Sequence, residues 1–499
     1  MRRSDALLLD ALAFDLQRRP DAPLHRQLYS RLAASIDAGS IKPGERLPST
    51  RDLAQSLGVS RNTILLAFEQ LTAEGYLEGQ TGSGTYVSAQ PPSNTVNPGA
   101  PRINTAIQAA GDSIERVRGA FGDVPATLRY MRRPVPFRAN FPALEAFPVQ
   151  RWAKLAANLY RRLDSDIANQ LMGEGDAQGY GPLREQIALH VGLTRGINCK
   201  PENVIIFAGA QHALDIACRL LLLPGDTAWC EDPGYDGSYA AITAASAKTI
   251  PVPVDEHGID VAAGIARDPN ARLAYVTPSK QFPLGMAMSM ERRLQLLDWA
   301  DRAGAWIVED DYDCEFRYSG TPLPALFDLG RGERVIYLGT FSKTLFPALR
   351  LGFAIVPDAL IEPFVAARTV VGRYSPILEQ VLVANFMADG QFSSHIRKMR
   401  RLYAKRQTQL LGLIVRHLGG FLTAEMAASG MELIGTLEPR YSALELARRA
   451  AQRGLEIMPL PLLAHEARVD NKITIGFSAF SEKQMEEGIV VIQNILCEM

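Results

Sequence analysis

The sequence predicts an α/β protein with a mainly parallel sheet, preceded by a small helical module that ends in a β-hairpin. Three observations support this prediction. Short apolar runs alternate with helical segments after residue 134, and helices separated by turn residues precede a glycine-rich hairpin before residue 88. Between them lies a stretch rich in proline, glycine, asparagine and threonine. At roughly 100–200 residues per domain, a chain of 499 residues also predicts more than one domain.

Composition excludes several classes of protein. A hydrophobic fraction of 47% and a charged fraction of 21% are typical of globular chains and argue against long disorder. The 53 basic residues nearly balance the 54 acidic ones, so bulk charge indicates neither a nucleic-acid nor a membrane partner. The five cysteines show no metal-ligand spacing. The cysteine spacing therefore predicts no metal site. Because no apolar run reaches the roughly 18 residues that span a bilayer, we expect a cytoplasmic protein.

The module before residue 88 has the pattern of three helices and a hairpin. An apolar residue recurs at every fourth position from Leu24 to Ile36, which predicts a helix. Ser49 and Ser60 are suited to cap two further helices, since their hydroxyls can accept backbone N–H bonds. Two short β-rich runs then flank the glycine-rich segment 79–84, as in a hairpin. This order of elements is that of a winged helix-turn-helix.

The start of the third helix carries side chains suited to reading DNA. In a helix-turn-helix, the second helix of the motif enters the major groove with its first residues at the base edges. Arg61 can make a bidentate hydrogen bond to guanine, and Asn62 can make one to adenine. Thr63 can bond a phosphate or contact a thymine methyl. Arg51 can bind the DNA backbone or reach a base. The plainer alternative is that these residues only cap a helix.

The charge of the module is balanced. Residues 22–88 contain six basic and six acidic side chains, so they lack the basic excess of a strong nonspecific DNA binder. We therefore expect the grip on DNA to depend on a few placed cations and on dimerisation.

The order of motifs in the module closely resembles the GntR-type winged helix-turn-helix. The motifs are Pro43-Gly44-Glu45-Arg46-Leu47-Pro48-Ser49-Thr50-Arg51, Leu57-Gly58-Val59-Ser60-Arg61-Asn62-Thr63 and Gly82-Ser83-Gly84-Thr85. The resemblance covers essentially all of residues 22–88 and implies double-stranded operator DNA as a partner. The DNA contacts that it implies are Arg51, Arg61, Asn62, Thr63 and Gly82.

Polar residues follow several predicted strands in the large part of the chain. Lys343 lies among hydroxyl side chains after one strand, and Arg350 follows seven residues later. Asp310 and Tyr312 follow another strand and would point to the same side if that strand continued through them. A lysine for a Schiff base, an acid for a pyridinium nitrogen and a phosphate cup are what pyridoxal phosphate needs. Taken alone, a solvated lysine or a solvated strand end is the plainer interpretation.

Two other strands lead into candidate binding groups. The strand at 204–207 leads to the small residues Ala208 and Gly209, and the helix that follows can present free backbone N–H groups to an anion. Tyr235 follows a further strand and could stack on a cofactor ring, although a core tyrosine is the alternative.

These motifs occur in the order seen in fold-type I aminotransferases. They are Gly209-Ala210-Gln211, Asp232-Pro233-Gly234-Tyr235, Thr277-Pro278-Ser279-Lys280-Gln281-Phe282-Pro283-Leu284-Gly285, Glu309-Asp310-Asp311-Tyr312-Asp313 and Ser342-Lys343. Roughly residues 137–499 resemble that fold. With the GntR-type module in front, nearly the whole chain resembles the MocR type of transcriptional regulator.

We therefore expect three parts in the chain. They are a DNA-binding domain at 1–88, a linker at 89–133 and an aminotransferase-like domain at 134–499, whose smaller C-terminal α/β subdomain starts at about residue 391. The resemblance also implies a head-to-tail, domain-swapped homodimer.

The resemblance implies pyridoxal 5′-phosphate as the cofactor and a role for each candidate residue. Lys343 forms the Schiff base, Asp310 pairs with the pyridine nitrogen, and Tyr312 contacts the ring O3′. Tyr235 stacks on the ring. The implied phosphate contacts are Ala210, Gln211, Thr340, Ser342 and Arg350.

Three positions depart from the pattern of the family. Thr474 stands where aminotransferases carry the arginine that holds the substrate carboxylate, and threonine cannot make a bidentate charged pair. Gly237 stands where a family member carries an arginine two residues beyond its tyrosine. Glu174 occupies the place of a tyrosine that often reaches the phosphate of the neighbouring subunit. These losses argue against ordinary transamination of α-amino acids.

We therefore expect a DNA-binding regulator that senses a small amine or an amino-acid-like effector through the Schiff base at Lys343. Arg138, Lys280 and Arg373 are candidate anion partners for that effector. The alternative is a true aminotransferase whose N-terminal module is vestigial.

Overall fold

The computed structural model describes residues 23–80, 84–92, 135–161, 169, 171–321, 323–330 and 332–499. The chain divides into two compact units, Met1–Ser113 and Ile114–Met499. Gly82 and most of the expected linker lie outside the described residues. Of the helices that the structure describes, none is both long enough and apolar enough to cross a membrane.

The N-terminal unit has the predicted helices and hairpin in its described part. They are α1 (Leu24–Asp37), α2 (Thr50–Leu57), α3 (Arg61–Ala73), β1 (Leu77–Gln80) and β2 (Gly84–Val87). The Ser49 hydroxyl accepts the N–H of Asp52, and the Ser60 hydroxyl accepts that of Thr63, both at 3.2 Å. Both predicted helix caps are therefore present, and the three helices pack their apolar faces into one core.

The large unit alternates strands and helices along most of its length. Its first part contains α4 (Val149–Arg161), α5 (Gly181–Arg195), β3 (Val204–Phe207), α6 (Ala210–Leu221), β4 (Thr227–Asp232), α7 (Asp236–Ala244), β5 (Lys248–Asp255), β6 (Gly258–Ile259), α8 (Val261–Arg267), β7 (Leu273–Val276), α9 (Met290–Ala303), β8 (Trp306–Asp310), α10 (Leu326–Leu329), β9 (Val335–Thr340) and β10 (Gly352–Ile355). Its second part contains α11 (Ile361–Gly372), α12 (Ile377–Ala388), α13 (Gln391–His417), β11 (Leu422–Ala424), β12 (Glu432–Leu437), α14 (Ala443–Gln452), β13 (Met458–Pro459), β14 (Lys472–Gly476) and α15 (Glu482–Cys497).

The first part builds the mainly parallel sheet that the sequence predicts. Its strand order is β3-β10-β9-β8-β7-β4-β5-β6, and the run from β9 to β5 is parallel. Strand β10 runs antiparallel to both of its neighbours, β3 and β9, and β6 runs antiparallel to β5. Val204 and Ile206 of β3 belong to one apolar core, and Ile205 and Phe207 belong to another. The sheet is therefore covered on both faces, which explains why its strands are continuous apolar runs.

The second part contributes a smaller antiparallel sheet of order β11-β12-β14-β13. In this sheet Met458 of β13 lies opposite Thr474 of β14, and Ile434 of β12 flanks Thr474 on the other side. The two sheets meet near the ends of the parallel strands, because the side chains of Met458 and Thr474 line the same cavity as residues of the large sheet.

Candidate functional site

A cavity of about 410 Å³ opens where the parallel strands end at their carboxyl termini. This edge of an open α/β sheet is the usual place for a ligand, because loops from several strands converge there. All the residues predicted to hold the cofactor line this cavity. They are Ala210, Gln211, Tyr235, Asp310, Tyr312, Thr340, Ser342, Lys343 and Arg350.

Lys343 points its amine into the cavity just after β9. Its Nζ donates a hydrogen bond to the backbone carbonyl oxygen of Asn140 at 2.8 Å. Burial lowers the pKa of Lys343 below its ordinary value. A lysine in such an environment gives up its proton more readily, so it is suited to act as a nucleophile towards a carbonyl.

Asp310 and Tyr312 both line the cavity, but not for the reason that the sequence suggested. Strand β8 ends at Asp310, so the condition that one strand continues through both residues is not met. The Tyr275 hydroxyl donates to Asp310 Oδ2 at 2.7 Å, whereas Asp310 Oδ1 and the Tyr312 hydroxyl are buried without a partner. Burial raises the pKa of Asp310 to about 6. Two unpartnered polar atoms therefore belong to side chains that line the cavity.

An anion-binding corner lies at the start of α6. Gly209 precedes this helix with a φ of 111°, and no side chain caps its N-terminus. A Cβ atom at Gly209 would lie 3.8 Å from the guanidinium of Arg350, so the arginine and the helix start are neighbours. Thr340 and Ser342 line the same cavity, and their hydroxyls add further donors. Helix N–H groups, hydroxyls and a guanidinium are together suited to hold a phosphate.

Tyr235 lies on the wall between α7 and the large sheet. Its ring centroid is 6.2 Å from that of Tyr275 and 6.0 Å from that of Phe282. Burial raises the pKa of Tyr235, so the phenol remains protonated at neutral pH. An apolar ring surface is therefore available for stacking.

The structure adds residues that sequence reasoning missed. Tyr275, Asn140, Glu456 and Met458 line the cavity beside the predicted residues. Tyr275 gave a weak signal, since it is the polar-tipped residue in the otherwise aliphatic strand β7. Asn140 gave none, because the hydrogen bond that brings it to Lys343 joins residues 203 positions apart.

Of the three candidate anion partners, only Arg138 lines the cavity. The ammonium of Lys280 is instead buried between Asp313 and Glu432, so its suggested role towards an effector is wrong. Arg373 lies on the surface outside the cavity, where it pairs with Glu174 at 2.9 Å.

The N-terminal unit presents the predicted DNA-contacting side chains around the start of α3. Arg51, Arg61 and Asn62 are exposed, and Thr63 is half-buried. Arg61 Nε donates to the hydroxyl of Thr50 at 3.3 Å, which holds the arginine beside the start of α2. The fifth predicted contact, Gly82, lies outside the described residues.

The fold and the cavity define an aminotransferase-type domain that follows a helix-turn-helix domain of the DNA-binding type. Residues 134–492 match the family model "Aminotransferase class I and II", and residues 24–87 match "Bacterial regulatory proteins, gntR family". The chain is 40% identical over 474 residues to the probable rhizopine catabolism regulatory protein MocR of Rhizobium meliloti, covering 95% of this chain and 94% of that protein. The chain therefore belongs to the MocR type of HTH-type transcriptional regulators.

Other relatives agree with this assignment. The HTH-type transcriptional regulator TauR of Rhodobacter capsulatus is 32% identical over 481 residues, covering 95% of this chain and 96% of that protein. Among solved structures, the α-aminoadipate aminotransferase LysN of Thermus thermophilus, complexed with N-(5′-phosphopyridoxyl)-L-leucine, superposes with a TM-score of 0.69 at 27% identity. That match covers 79% of this chain and 98% of LysN.

Pyridoxal 5′-phosphate is the cofactor that this family membership implies. The cavity fits it on its own geometry. Asp310 Oδ1 and the Tyr312 hydroxyl are buried and unpartnered, as expected of groups that await a ring nitrogen and a ring oxygen. The anion corner at Gly209 and Arg350 lies on the same cavity as the amine of Lys343. An acid, an amine and a phosphate cup in one cavity are the donor set that this cofactor requires.

Proposed function

We propose that the large domain holds pyridoxal 5′-phosphate to sense a small amine, and that this amine changes how the N-terminal domain binds its operator. The observation that carries the proposal is the convergence of all the candidate cofactor residues on one cavity, in a chain that also carries a gntR-type reader. We place the protein in the cytoplasm, with the DNA.

Each cavity residue has a proposed role. Lys343 binds the cofactor covalently, Asp310 keeps the pyridine nitrogen protonated, and Tyr312 donates to the ring oxygen. Tyr235 stacks on the ring. The phosphate is held by Ala210, Gln211, Thr340, Ser342 and Arg350. When bound, the cofactor would supply an electrophilic carbon for a primary amine, either that of Lys343 or that of an effector.

On the DNA side, we propose that Arg61, Asn62 and Thr63 meet base edges or phosphates and that Arg51 and Gly82 contact the backbone. Because the charge of the N-terminal domain is balanced, we expect one copy to bind DNA with low affinity. A domain-swapped homodimer, which places two readers on one particle, would supply the missing affinity. The effector acts by binding two arrangements of the dimer unequally.

The experiment is a pair of substitutions in the full-length protein. Lys343→Ala should abolish the visible absorbance of the purified holoprotein and its response to amines. Arg61→Ala should weaken operator binding by roughly 5- to 150-fold, the cost of one bidentate base contact. Arg26→Ala removes an exposed arginine of α1 and is the matched control. Identical colourless spectra for wild type and Lys343→Ala would refute the cofactor role of Lys343.

The second candidate function is a true aminotransferase. It is favoured by the 28% identity of the chain to the 2-aminoadipate transaminase of Thermus thermophilus over 389 residues, which covers 77% of this chain and 95% of that protein. Multiple turnovers of an amino donor with a 2-oxo acid, in the absence of any specific DNA binding, would support this alternative and exclude the regulator.

A further inference from the structure

We infer that the effector is a primary amine that carries hydroxyl groups and no carboxylate. The inference rests on the proposed function, since it concerns the amine that enters the same cavity. It is carried by the side of the cavity formed by Arg138, Asn140, Glu456, Met458 and Thr474, which we call the distal wall.

Backbone contacts bring the distal wall together. The N–H of Gly476 donates to Phe137 O at 2.8 Å, and that of Glu456 donates to Pro136 O at 2.9 Å. These bonds hold the segment before Asn140 against the ends of β13 and β14. Because Met458 lies opposite Thr474 in the smaller sheet, the side chains of the wall converge on one patch.

The charges of the distal wall cancel. Five charged side chains line the described cavity, and three of them, Asp310, Lys343 and Arg350, are assigned to the cofactor. The other two form an ion pair, with Arg138 Nε 4.0 Å from Glu456 Oε1. A carboxylate that approached Arg138 would also meet the negative charge of Glu456. Such a repulsive element is an effective way to exclude one class of ligand.

The two positions where relatives place an arginine cannot supply a second cation. Thr474 occupies one of them and is buried. Gly237 occupies the other, and a Cβ atom there would lie 2.2 Å from Gln211 Oε1 and 2.3 Å from the ring of Tyr235. A side chain at Gly237 therefore does not fit beside the tyrosine that is proposed to stack on the cofactor.

The unpartnered polar atoms of the wall are an amide oxygen, which only accepts, and a hydroxyl, which can donate or accept. Asn140 Oδ1 and Thr474 Oγ1 are buried and have no partner. An amide oxygen accepts only, and so does the carboxylate of Glu456, whereas a ligand carboxylate cannot donate. A ligand hydroxyl can donate to either acceptor and can also accept from the hydroxyl of Thr474. Hydroxyl groups therefore match this wall and a carboxylate does not.

The test compares two amines that differ at one group. Serine and 2-amino-1,3-propanediol are identical except that a carboxylate in the first is a hydroxymethyl in the second. Each is titrated into cofactor-loaded full-length protein, and binding is followed by the visible spectrum. The second readout is whether each amine weakens or strengthens binding of the protein to a DNA site that it has selected from a random pool. Propylamine, which carries no hydroxyl, is the control.

We expect 2-amino-1,3-propanediol to bind at least tenfold more tightly than serine or propylamine, about the worth of one or two hydrogen bonds. Thr474→Arg should reverse the order of serine and the diol, and Glu456→Gln should narrow the gap between them. Tighter binding of serine by the wild type would overturn the inference and leave the proposed function standing. If no amine alters the spectrum or the DNA binding, both fail together.

Discussion

Replacing Lys280 by methionine should destabilise the large domain in a pH-dependent way. The ammonium of Lys280 lies 3.0 Å from Asp313 Oδ2 and also pairs with Glu432. All three side chains are at most 3% exposed. Burial alone would lower the pKa of Lys280, but the attraction of the two carboxylates raises it above its usual value. This buried ion pair joins the loop after β7 to the first residue of β12, and hence the large sheet to the smaller one.

The size of the effect follows from the burial. Methionine fills most of the space of lysine but leaves two adjacent buried carboxylates without a cation, and breaking a buried pair in this way costs about 3–5 kcal/mol. The large unit spans Ile114–Met499. At about 2.1 cal/mol/K per residue, its unfolding entropy is about 0.8 kcal/mol/K, so the Tm should fall by about 4–6 °C.

The sign of the pH dependence is also defined. Burial already raises the pKa of Asp313 to about 7, and without the ammonium of Lys280 that folded-state pKa rises further above its unfolded value. A carboxyl with a raised folded pKa favours the native state only while it is protonated, and this advantage is lost as the pH rises. The variant should therefore lose more stability at about pH 8 than at about pH 5.

Calorimetric melting of the full-length protein at the two pH values measures both effects. Lys483→Met is the matched control, because Lys483 is 84% exposed and its ion pair with Glu487 spans 3.8 Å. It should change stability by less than about 0.5 kcal/mol. Adding Glu432→Gln to Lys280→Met should restore part of the loss. A Tm for Lys280→Met within about 1 °C of wild type at both pH values would refute the reasoning.

Two further predictions concern a helix cap and a buried histidine. Ser60→Ala removes the cap of α3 and should destabilise the N-terminal domain by about 1 kcal/mol, which calorimetry would show as a lower temperature of the first unfolding transition. Ser56→Ala, at an exposed serine of α2, is the control. Equal shifts of the transition temperature in the two variants would contradict the role of Ser60 as a cap. Burial lowers the pKa of His395 from 6.5 to about 4, so unfolding takes up a proton and stability falls by about 3 kcal/mol as the pH falls through that range. His395→Gln keeps a donor for the carbonyl oxygen of Thr344 and should flatten the plot of Tm against pH between these values, whereas parallel plots would count against this reasoning.

The sequence was sufficient for much of the fold and of the cofactor site, because both depend on local patterns. Buried parallel strands read as apolar runs, and residues that follow such strands meet at one edge of the sheet. Lys343 and Tyr235 follow two strands and Asp310 ends a third, so their order along the chain already indicated a shared cavity. The capping serines Ser49 and Ser60 were equally accessible, since a cap depends on residues three positions apart.

Pairings between distant segments could not be predicted in this way. Lys280 looked like an available cation because its partners lie 33 and 152 residues further along the chain. Similarly, Asn140 meets Lys343 only after the chain has folded across 203 residues. The sequence shows the chemistry of such side chains but not whether a residue far away along the chain already forms an ion pair or hydrogen bond with them.

The position of the distal wall suggests how an effector can be read by the whole domain. Thr474 and Met458 belong to the smaller sheet, whereas Lys343 follows a strand of the larger one. An amine that replaces Lys343 on the cofactor and bonds to Thr474 would therefore bridge the two sheets, at the same boundary that the buried Lys280 ion pair spans. Such a ligand binds best at one spacing of the sheets and so favours that spacing. A carboxylate ligand, repelled by Glu456, would not make this bridge, so the hydroxyl preference that we propose for the wall would have a regulatory consequence.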